Sequence, residues 1–207
     1  MLDKDRRNFH AWSYRRYLVA RLESDALLGK SLAEDEFAYT RQMIEKDLSN
    51  FSAWHNRSRL MLRLLAERNA DDRTRAAFLE AEFSFIQNAL NVGPEDQSLW
   101  YYHRFLVAQV LDLDKKPSIT PNLSVEDKIS YLEQEIEFIK DLIEDFAGIK
   151  WPYEALLEYT SALCQQKAGA GAGGGGNDPD FWLDKLRKSD PMQTGRWDDV
   201  KLQLQAA

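Results

Sequence analysis

Apolar residues recur along the chain in a long-range pattern built around tryptophan. Trp12, Trp54 and Trp100 are separated by steps of 42 and 46 residues, and a weaker copy begins at Trp151. In the first three copies an Asn or Asp stands four residues before the tryptophan, and two apolar residues stand six and seven after it. Asn and Asp are favoured helix N-caps, and the apolar spacing is helical. The pattern therefore predicts a helix around each tryptophan. The predicted caps are Asn8, Asn50 and Asp96.

A second apolar motif lies between the tryptophan helices. In it a glutamate is followed by an aromatic or aliphatic residue and stands 18, 18 and 16 residues before the next tryptophan. Its spacing is again helical, so each repeat holds two helices and forms a hairpin. A single hairpin cannot bury both of its faces, whereas stacked hairpins share a continuous core. The predicted fold is all-α, an alpha-alpha superhelix of stacked antiparallel helical hairpins. The glutamates are Glu36, Glu82 and Glu135.

The repeats and the glycine content divide the chain into three parts. Residues 1–167 are predicted to hold the helical repeats. Residues 168–178 consist largely of Gly and Ala and indicate a flexible linker. Residues 179–207 are predicted to complete the array with one or two short helices. The repeat units are expected near residues 3–48, 49–92, 95–145 and 149–167.

The composition is that of a globular protein with an acidic balance of charge. Hydrophobic residues make up 44% of the 207 residues and charged residues 29%, and the formal net charge is -7. A negative chain is unsuited to nonspecific binding of a phosphate backbone, so no nucleic-acid partner is expected. The single cysteine, Cys164, excludes an internal disulfide and is predicted to be a small buried residue. No apolar run approaches the roughly 18 residues of a membrane span, and we expect a cytoplasmic protein.

The recurrent side chains have a structural and a functional interpretation. Tryptophans are expected to form the core between hairpins, because a platform for stacking nucleic-acid bases needs basic residues that this acidic chain lacks. Recurrent cations are expected to pair with the repeated glutamates or to cap helix carbonyls, or alternatively to contact a partner subunit. The predicted core set is Trp12, Trp54, Trp100 and Trp151. The predicted inter-repeat or partner contacts are Tyr14, Arg15, Arg16, His55, Arg57, His103 and Arg104, with a mixed role for Tyr14 and His55.

Catalytic and metal chemistry have no support in the sequence. His10, His55 and His103 lie on different repeats, and no Cys or Asp stands at metal-ligand spacing around them. The glycine run is not followed by the Lys-Ser or Lys-Thr of a phosphate-binding loop. We therefore expect no catalytic residue, no metal site and no cofactor in this chain.

Three segments resemble successive repeats of a known protein family. Residues 7–16 read RNFHAWSYRR, residues 50–58 read NFSAWHNRS, and residues 95–104 read EDQSLWYYHR. These words are similar to repeats of protein prenyltransferase alpha subunits, and in particular to those of the Rab geranylgeranyl transferase (type II) group. Residues 189–200 resemble the final segment of the same group. Members of the family carry further repeats ahead of the Asn8 unit, so the chain is expected to be truncated at its amino terminus.

The resemblance implies a heterodimeric enzyme in which this chain is the subunit without zinc. A beta subunit would hold zinc and the isoprenoid diphosphate, and a cysteine thiolate of the protein substrate would attack the first carbon of the isoprenoid. The implied substrate is a Rab GTPase delivered by an escort protein. Residues near the starts of the repeat helices approach the diphosphate in this family, and Phe9 and His10 match those positions. The chain alone is expected to be inactive.

A second interpretation is a stand-alone alpha-solenoid module that binds a protein or peptide and has no enzymatic role. Many helical-repeat proteins bind partners on an extended surface. The signature residues and the spacing of the repeats favour the prenyltransferase interpretation. Tetratricopeptide-type scaffolds keep a step of about 34 residues and have other signature residues.

Overall fold

The computed structural model describes residues 1–112, 117–169 and 179–206, and all of its regular structure is helical over those ranges. Two short 3₁₀ helices, Asp25–Leu27 and Pro191–Gln193, join the α-helices. The predicted all-α fold of helical repeats is confirmed. The α-helices of the described residues are α1 (Phe9–Leu22), α2 (Ala33–Lys46), α3 (Phe51–Glu67), α4 (Asp72–Leu90), α5 (Gln97–Leu111), α6 (Val125–Asp145), α7 (Lys150–Gly169), α8 (Pro179–Ser189) and α9 (Thr194–Ala206).

The helices form two compact units. The first consists of Met1–Leu90 with Asp96–Pro121 and contains α1 to α5. The second consists of Asn91–Glu95 with Asn122–Ala207 and contains α6 to α9. In the first unit α2 packs on α3, α4 packs on α5, and α3 packs on α5. In the second unit α6 packs on α7, α7 packs on α8, and α8 packs on α9.

Side-chain caps begin the tryptophan helices of the first unit, at the residues that the sequence predicts. The Asn8 side chain accepts a hydrogen bond from the Ala11 N–H, and the Asn50 side chain accepts one from the Ala53 N–H. Asp96 caps α5 in the same way. Each cap satisfies one of the backbone N–H groups that a helix leaves free at its start. The caps therefore fix the residue at which each helix starts and, with it, the direction of the tryptophan.

Three tryptophans occupy the core of the first unit. Trp12, Trp54 and Trp100 are all buried. The indole N–H of Trp12 donates to the Arg6 carbonyl at 2.8 Å, and that of Trp54 donates to the Leu48 carbonyl at 2.8 Å. Such an acceptor offsets the cost of burying the indole N–H. Each ring thereby ties its helix to the chain segment that precedes it.

The structure corrects the prediction that Trp151 is a core residue, because Trp151 is only half-buried. The helix α7 begins at Lys150, so Trp151 lies in its first turn, whereas the other three tryptophans are each the fourth residue of their helix. The Lys150 ammonium stands over its ring at 4.8 Å. Two later tryptophans, Trp182 and Trp197, are buried in the second unit instead.

Cys164 is exposed, so the prediction that it is a buried small residue is wrong. The buried face of α7 includes Leu156, Thr160 and Leu163. One further residue turns the side chain by about 100° around the helix, which moves Cys164 away from that face. The helix continues to Gly169, so the first residues of the predicted linker 168–178 are helical, and most of that linker lies outside the described residues.

Candidate functional site

Two of the predicted arginine–glutamate pairs join helices in the first unit. Arg15 on α1 binds Glu36 on α2 through two hydrogen bonds of 2.8 and 2.5 Å. Arg57 on α3 binds Glu82 on α4 through two bonds of the same lengths. Two-point guanidinium–carboxylate pairs fix orientation as well as distance. They hold each of these two tryptophan helices against the glutamate helix that follows it in the chain.

The Arg57 pair lies at the centre of a buried network. Its guanidinium also donates to the Phe37 carbonyl at 3.2 Å and lies 3.7 Å from the centre of the Phe37 ring. Glu82 accepts a further bond of 2.6 Å from the Tyr102 hydroxyl. Burial alone would lower the pKa of Arg57, but hydrogen bonding and attraction by Glu82 raise it above its usual value. Arg57 therefore stabilises the packing of the helices, and it is too deeply buried to contact a partner.

The predicted contact residues divide between surface and core. Phe9, His10, Tyr14 and His55 are exposed. His103 is completely buried, with the rings of Phe83 and Trp100 each 5.9 Å away. Arg15, Arg16 and Arg104 are half-buried.

The two residues that the family resemblance assigns to the neighbourhood of the diphosphate lie in the first turn of α1. Phe9 and His10 are adjacent, and their rings meet edge to face with centroids 5.8 Å apart. The side chain of Phe9 is 67% exposed, so it does not join Trp12 in the core. Both rings are therefore available to a ligand or partner at the N-terminus of a helix, where the helix dipole is positive.

An aromatic groove lies between α3 and α5 and has a volume of about 280 Å³. On each helix the lining residues are spaced by three, four and seven positions, so they form one stripe per helix. Phe51 stacks on His55 with centroids 6.0 Å apart and meets Tyr101 edge to face at 6.3 Å. The lining consists of Phe51, Trp54, His55 and Ser58 from α3 and Ser98, Tyr101, Tyr102 and Phe105 from α5.

Of these groove residues, sequence reasoning identified only Trp54 and His55 as contact or core residues. Phe51 is the first residue of α3 and is 52% exposed. The signal that would have revealed the groove is Phe105, which lies five residues after Trp100 and matches Arg59 rather than an apolar residue in the preceding repeat.

A cluster of basic residues lies beside the groove and is formed by Arg16, His55 and Arg59. The pKa of His55 is lowered from the usual histidine value, first by partial burial and then by repulsion from Arg59 and Arg16. The pKa of Arg16 is lowered by burial and by repulsion from Arg59. The three side chains therefore lie close enough to repel one another, and we call them the basic notch.

The described residues were also compared with the requirements of a metal site and of a membrane span. Within residues 1–112, 117–169 and 179–206, no three His, Cys, Asp or Glu side chains come together in a way that suits a metal ion. None of the helices in those ranges combines the length and apolar composition of a membrane span. The surface that remains is one of exposed aromatic and cationic side chains on the first helices of the repeats.

Comparisons with known proteins match the repeats directly. The model of the protein prenyltransferase alpha subunit repeat matches residues 1–22, 33–64 and 79–110. The second and third matches begin at α2 and within α4 and end within α3 and α5. The unit of the family is therefore a glutamate helix followed by the next tryptophan helix, which is also how α2 packs on α3 and α4 on α5.

One curated relative aligns with nearly the whole chain, and two others align with about half of it. The geranylgeranyl transferase type-2 subunit alpha of Schizosaccharomyces pombe is 37% identical over 203 residues, which are 95% of this chain and 57% of that protein. The protein of the same name from Saccharomyces cerevisiae is 30% identical over 107 residues, 52% of this chain and 32% of that protein. The Rattus norvegicus protein is 36% identical over 110 residues, 52% of this chain and 18% of that protein. The chain thus spans little more than half of the first relative and less of the other two.

Proposed function

The chain belongs to the protein prenyltransferase alpha subunit family, and on that basis we propose that it serves as the alpha subunit of a type-2 geranylgeranyl transferase. The observation that carries the proposal is the 37% identity to such a subunit over 95% of this chain. The three matched repeats supply the scaffold. The exposed residues of the tryptophan helices supply the surface.

In the proposed enzyme this chain scaffolds a beta subunit that provides the zinc ion and the isoprenoid site. The reaction joins the sulfur of a substrate cysteine to the first carbon of the geranylgeranyl group, and diphosphate leaves with the electron pair of the broken carbon–oxygen bond. This chain contributes position and electrostatics rather than a reacting atom. The substrate is a Rab GTPase presented by an escort protein, and the enzyme acts in the cytoplasm.

Phe9 and His10 are the residues of this chain that we assign to the neighbourhood of the diphosphate. Both are exposed in the first turn of α1. The free N–H groups and the dipole of a helix N-terminus favour anions nearby. An imidazole at this position adds a hydrogen-bond donor. Phe9 contributes only its ring, because it lacks the hydroxyl that tyrosine would provide.

The proposal is tested by co-expression with the type-2 beta subunit of a relative. We expect a one-to-one complex that transfers geranylgeranyl to a Rab protein in the presence of its escort protein, whereas neither subunit does so alone. A complex without transfer would support the subunit assignment and show that this chain lacks groups needed for the reaction. A folded chain that forms no complex would refute the proposal.

The alternative is a stand-alone binding module, and the aromatic groove between α3 and α5 is the observation that favours it. A concave, mostly apolar groove with a few polar groups is the usual form of a binding site. This alternative predicts a folded chain that ignores the beta subunit. Loss of binding to any ligand when Phe51 and Tyr101 are replaced by Ala would then identify the groove as its site.

A further inference from the structure

The aromatic groove between α3 and α5 is bounded by rings at two depths. Trp54 and Tyr102 are buried, and their ring centroids lie 4.5 Å apart. The Phe105 ring lies 6.1 Å from that of Tyr102. Phe51 and Tyr101 are 52% and 49% exposed. Buried rings therefore form the floor of the groove, and exposed rings form its rim.

Polar side chains in the lining of the groove are bonded within the protein. The Tyr102 hydroxyl donates to Glu82 at 2.6 Å, and the Ser58 hydroxyl donates to the His55 carbonyl at 2.8 Å. The indole N–H of Trp54 is held by a main-chain carbonyl. A peptide backbone in this groove would therefore find few partners for its N–H and C=O groups, which are costly to bury without hydrogen bonds. A hydrocarbon chain needs none.

The described residues that line the groove carry no formal charge at neutral pH. None of them is Asp, Glu, Lys or Arg. The pKa of His55 lies below the usual histidine value, first because of burial and then because of repulsion from Arg59 and Arg16, so its imidazole is neutral there. An uncharged ligand thus matches the lining, whereas the head group of an isoprenoid diphosphate finds no cation in it.

The length of the groove matches part of an isoprenoid chain. The lining runs from Phe51 to Ser58 on α3 and from Ser98 to Phe105 on α5. Each stretch covers about 10 Å along its helix axis, which is roughly the length of two isoprene units. The volume of about 280 Å³ is close to the lower end of the range for ligand pockets. The groove is therefore long enough for about half of a geranylgeranyl chain.

From these three properties we infer that the aromatic groove binds the geranylgeranyl chain of the thioether product. The inference rests on the proposed function, because the proposed transfer converts a charged isoprenoid diphosphate into an uncharged thioether on the substrate cysteine. The product keeps the hydrocarbon that the rings accommodate, and it has lost the head group for which the lining has no partner. The groove thereby retains the product after the carbon–sulfur bond has formed.

The test is the affinity of the full chain for S-geranylgeranyl-N-acetylcysteine methyl ester, an uncharged thioether, measured by calorimetry below its aggregation concentration. For F51S/Y101S we expect the dissociation constant to rise about tenfold or more, because each buried methylene lost from a contact weakens binding about fourfold. The matched control Y17S/F181S makes the same two substitutions at rings that are 62% and 52% exposed outside the groove, and it should leave the affinity unchanged. Circular dichroism checks that both variants fold. Equal losses in the two variants, or no loss in F51S/Y101S, would overturn the inference.

Two series of ligands test the length and the charge preference of the groove in the unaltered chain. Thioethers of increasing length should bind more tightly up to about two isoprene units and change little beyond that, because the groove ends there. A steady gain up to the full geranylgeranyl chain would indicate nonspecific partition and contradict the inference. Geranylgeranyl diphosphate should bind less tightly than the thioether. Tighter binding of the diphosphate would make the groove a substrate site and overturn the assignment to the product.

Addition of the beta subunit separates this inference from the proposed function. We expect the thioether to shift the NMR ring resonances of His55 both in the chain alone and in the complex. If the complex transfers geranylgeranyl while the chain does not bind the thioether, the inference is wrong and the proposed function stands. If the chain binds the thioether but forms no complex, the proposed function fails, and the assignment of the groove to the product fails with it. If the beta subunit displaces the thioether from the groove, a segment of the partner occupies it and the inference is refuted.

Discussion

At the scale of single residues, the two arginine–glutamate pairs perform the same task in different surroundings. The Arg57 side chain is 3% exposed and the Arg15 side chain is 31% exposed. Burial of an ion pair strengthens its attraction but makes the loss of one partner costly, because the remaining charge has no water to replace it. Water reaches Arg15, so Glu36 is more easily resolvated when that arginine is removed.

Because the two arginines differ in burial, replacing each by alanine should lower the free energy of unfolding by different amounts. Arg57→Ala should lower the free energy of unfolding by about 3–5 kcal/mol, because the Glu82 carboxylate is left buried without its cation and the Tyr102 hydroxyl alone does not neutralise its charge. Arg15→Ala should lower it by about 1–2 kcal/mol. Urea unfolding followed by circular dichroism measures both. Equal losses would show that the burial of Arg57 does not decide its contribution.

His55 gives a prediction about pH. In the folded chain its pKa lies below the usual 6.5, because of burial and repulsion from Arg59 and Arg16. Unfolding frees the imidazole to bind a proton more readily. Its contribution to stability is therefore undiminished above the unfolded pKa and declines as the pH falls through the unfolded value toward the folded one.

The variant Arg59→Gln tests the cause of this shift. It removes the arginine whose repulsion lowers the pKa of His55 more, so that pKa should rise toward 6.5. NMR titration of the ring protons measures the change. Arg73→Gln on α4 is the matched control and should leave the titration in place. A pKa that does not respond to Arg59→Gln would exclude Arg59 as a cause of the shift and leave burial and repulsion from Arg16.

Residue placement could be predicted from the sequence where the repeat pattern applies. Trp12 and Trp54 are buried because a cap and a helical spacing determine which way each side chain points. Trp151 lacks a cap four residues earlier, and its helix starts one residue before it, so the same pattern does not place it in the core. The notch was not predicted, because repulsion between Arg16 and Arg59 depends on how two helices lie together rather than on either sequence alone.

At the scale of elements, Asn50 connects two repeats while it caps one helix. Its side-chain oxygen accepts from the Ala53 N–H at 3.1 Å, and its side-chain nitrogen donates to the Arg6 carbonyl at 2.9 Å. The same carbonyl accepts from the Trp12 indole. Asn8 caps α1 in the same way, but its side-chain nitrogen donates to Asp5, in its own segment.

The two caps should therefore differ in their contribution to stability. Asn50→Ala should cost about 2 kcal/mol, from the cap and the lost bond to Arg6, whereas Asn8→Ala should cost about 1 kcal/mol. Asn50→Asp keeps the acceptor for the cap but turns a carboxylate oxygen toward the Arg6 carbonyl in a fully buried site, so its cost should be at least that of Asn50→Ala. Chemical denaturation of the three variants measures their free energies of unfolding and so ranks them. An Asn50→Ala variant as stable as Asn8→Ala would show that the bond between repeats adds nothing.

Helix starts were predictable because capping is local, and helix pairing was not. The caps at Asn8, Asn50 and Asp96 are visible in the sequence and present in the structure. The sequence suggested hairpins that join each tryptophan helix to the glutamate helix after it. In the structure the backbones of α2 and α3 pack more extensively than those of α1 and α2, which meet largely through the Arg15–Glu36 pair and the Trp12 and Tyr39 rings.

At the scale of the whole molecule, the tryptophan helices of the first unit carry both buried and exposed aromatic side chains. Within the described residues of the first unit, one face of the tryptophan helices carries the indole rings and the buried ion pair. Other side chains of the same helices, such as Phe9, Tyr14 and Phe51, remain exposed. Exposed aromatic residues of this kind mark interaction surfaces in many proteins. Changes at these positions should therefore alter assembly or turnover and leave folding intact.

Phe9 and His10 provide the sharpest test of that separation in the assembled enzyme. His10→Ala should lower turnover with little effect on assembly, because in the proposed enzyme its imidazole donates a hydrogen bond to the departing diphosphate. Phe9→Tyr adds a hydroxyl at a 67% exposed position and should preserve or raise turnover. Tyr17→Phe, on the same helix and also exposed, is the control and should change nothing. Steady-state transfer assays with subunit complexes of equal purity measure all three. If His10→Ala turns over as fast as the original complex, this end of α1 does not lie near the diphosphate, and its exposed rings serve assembly instead.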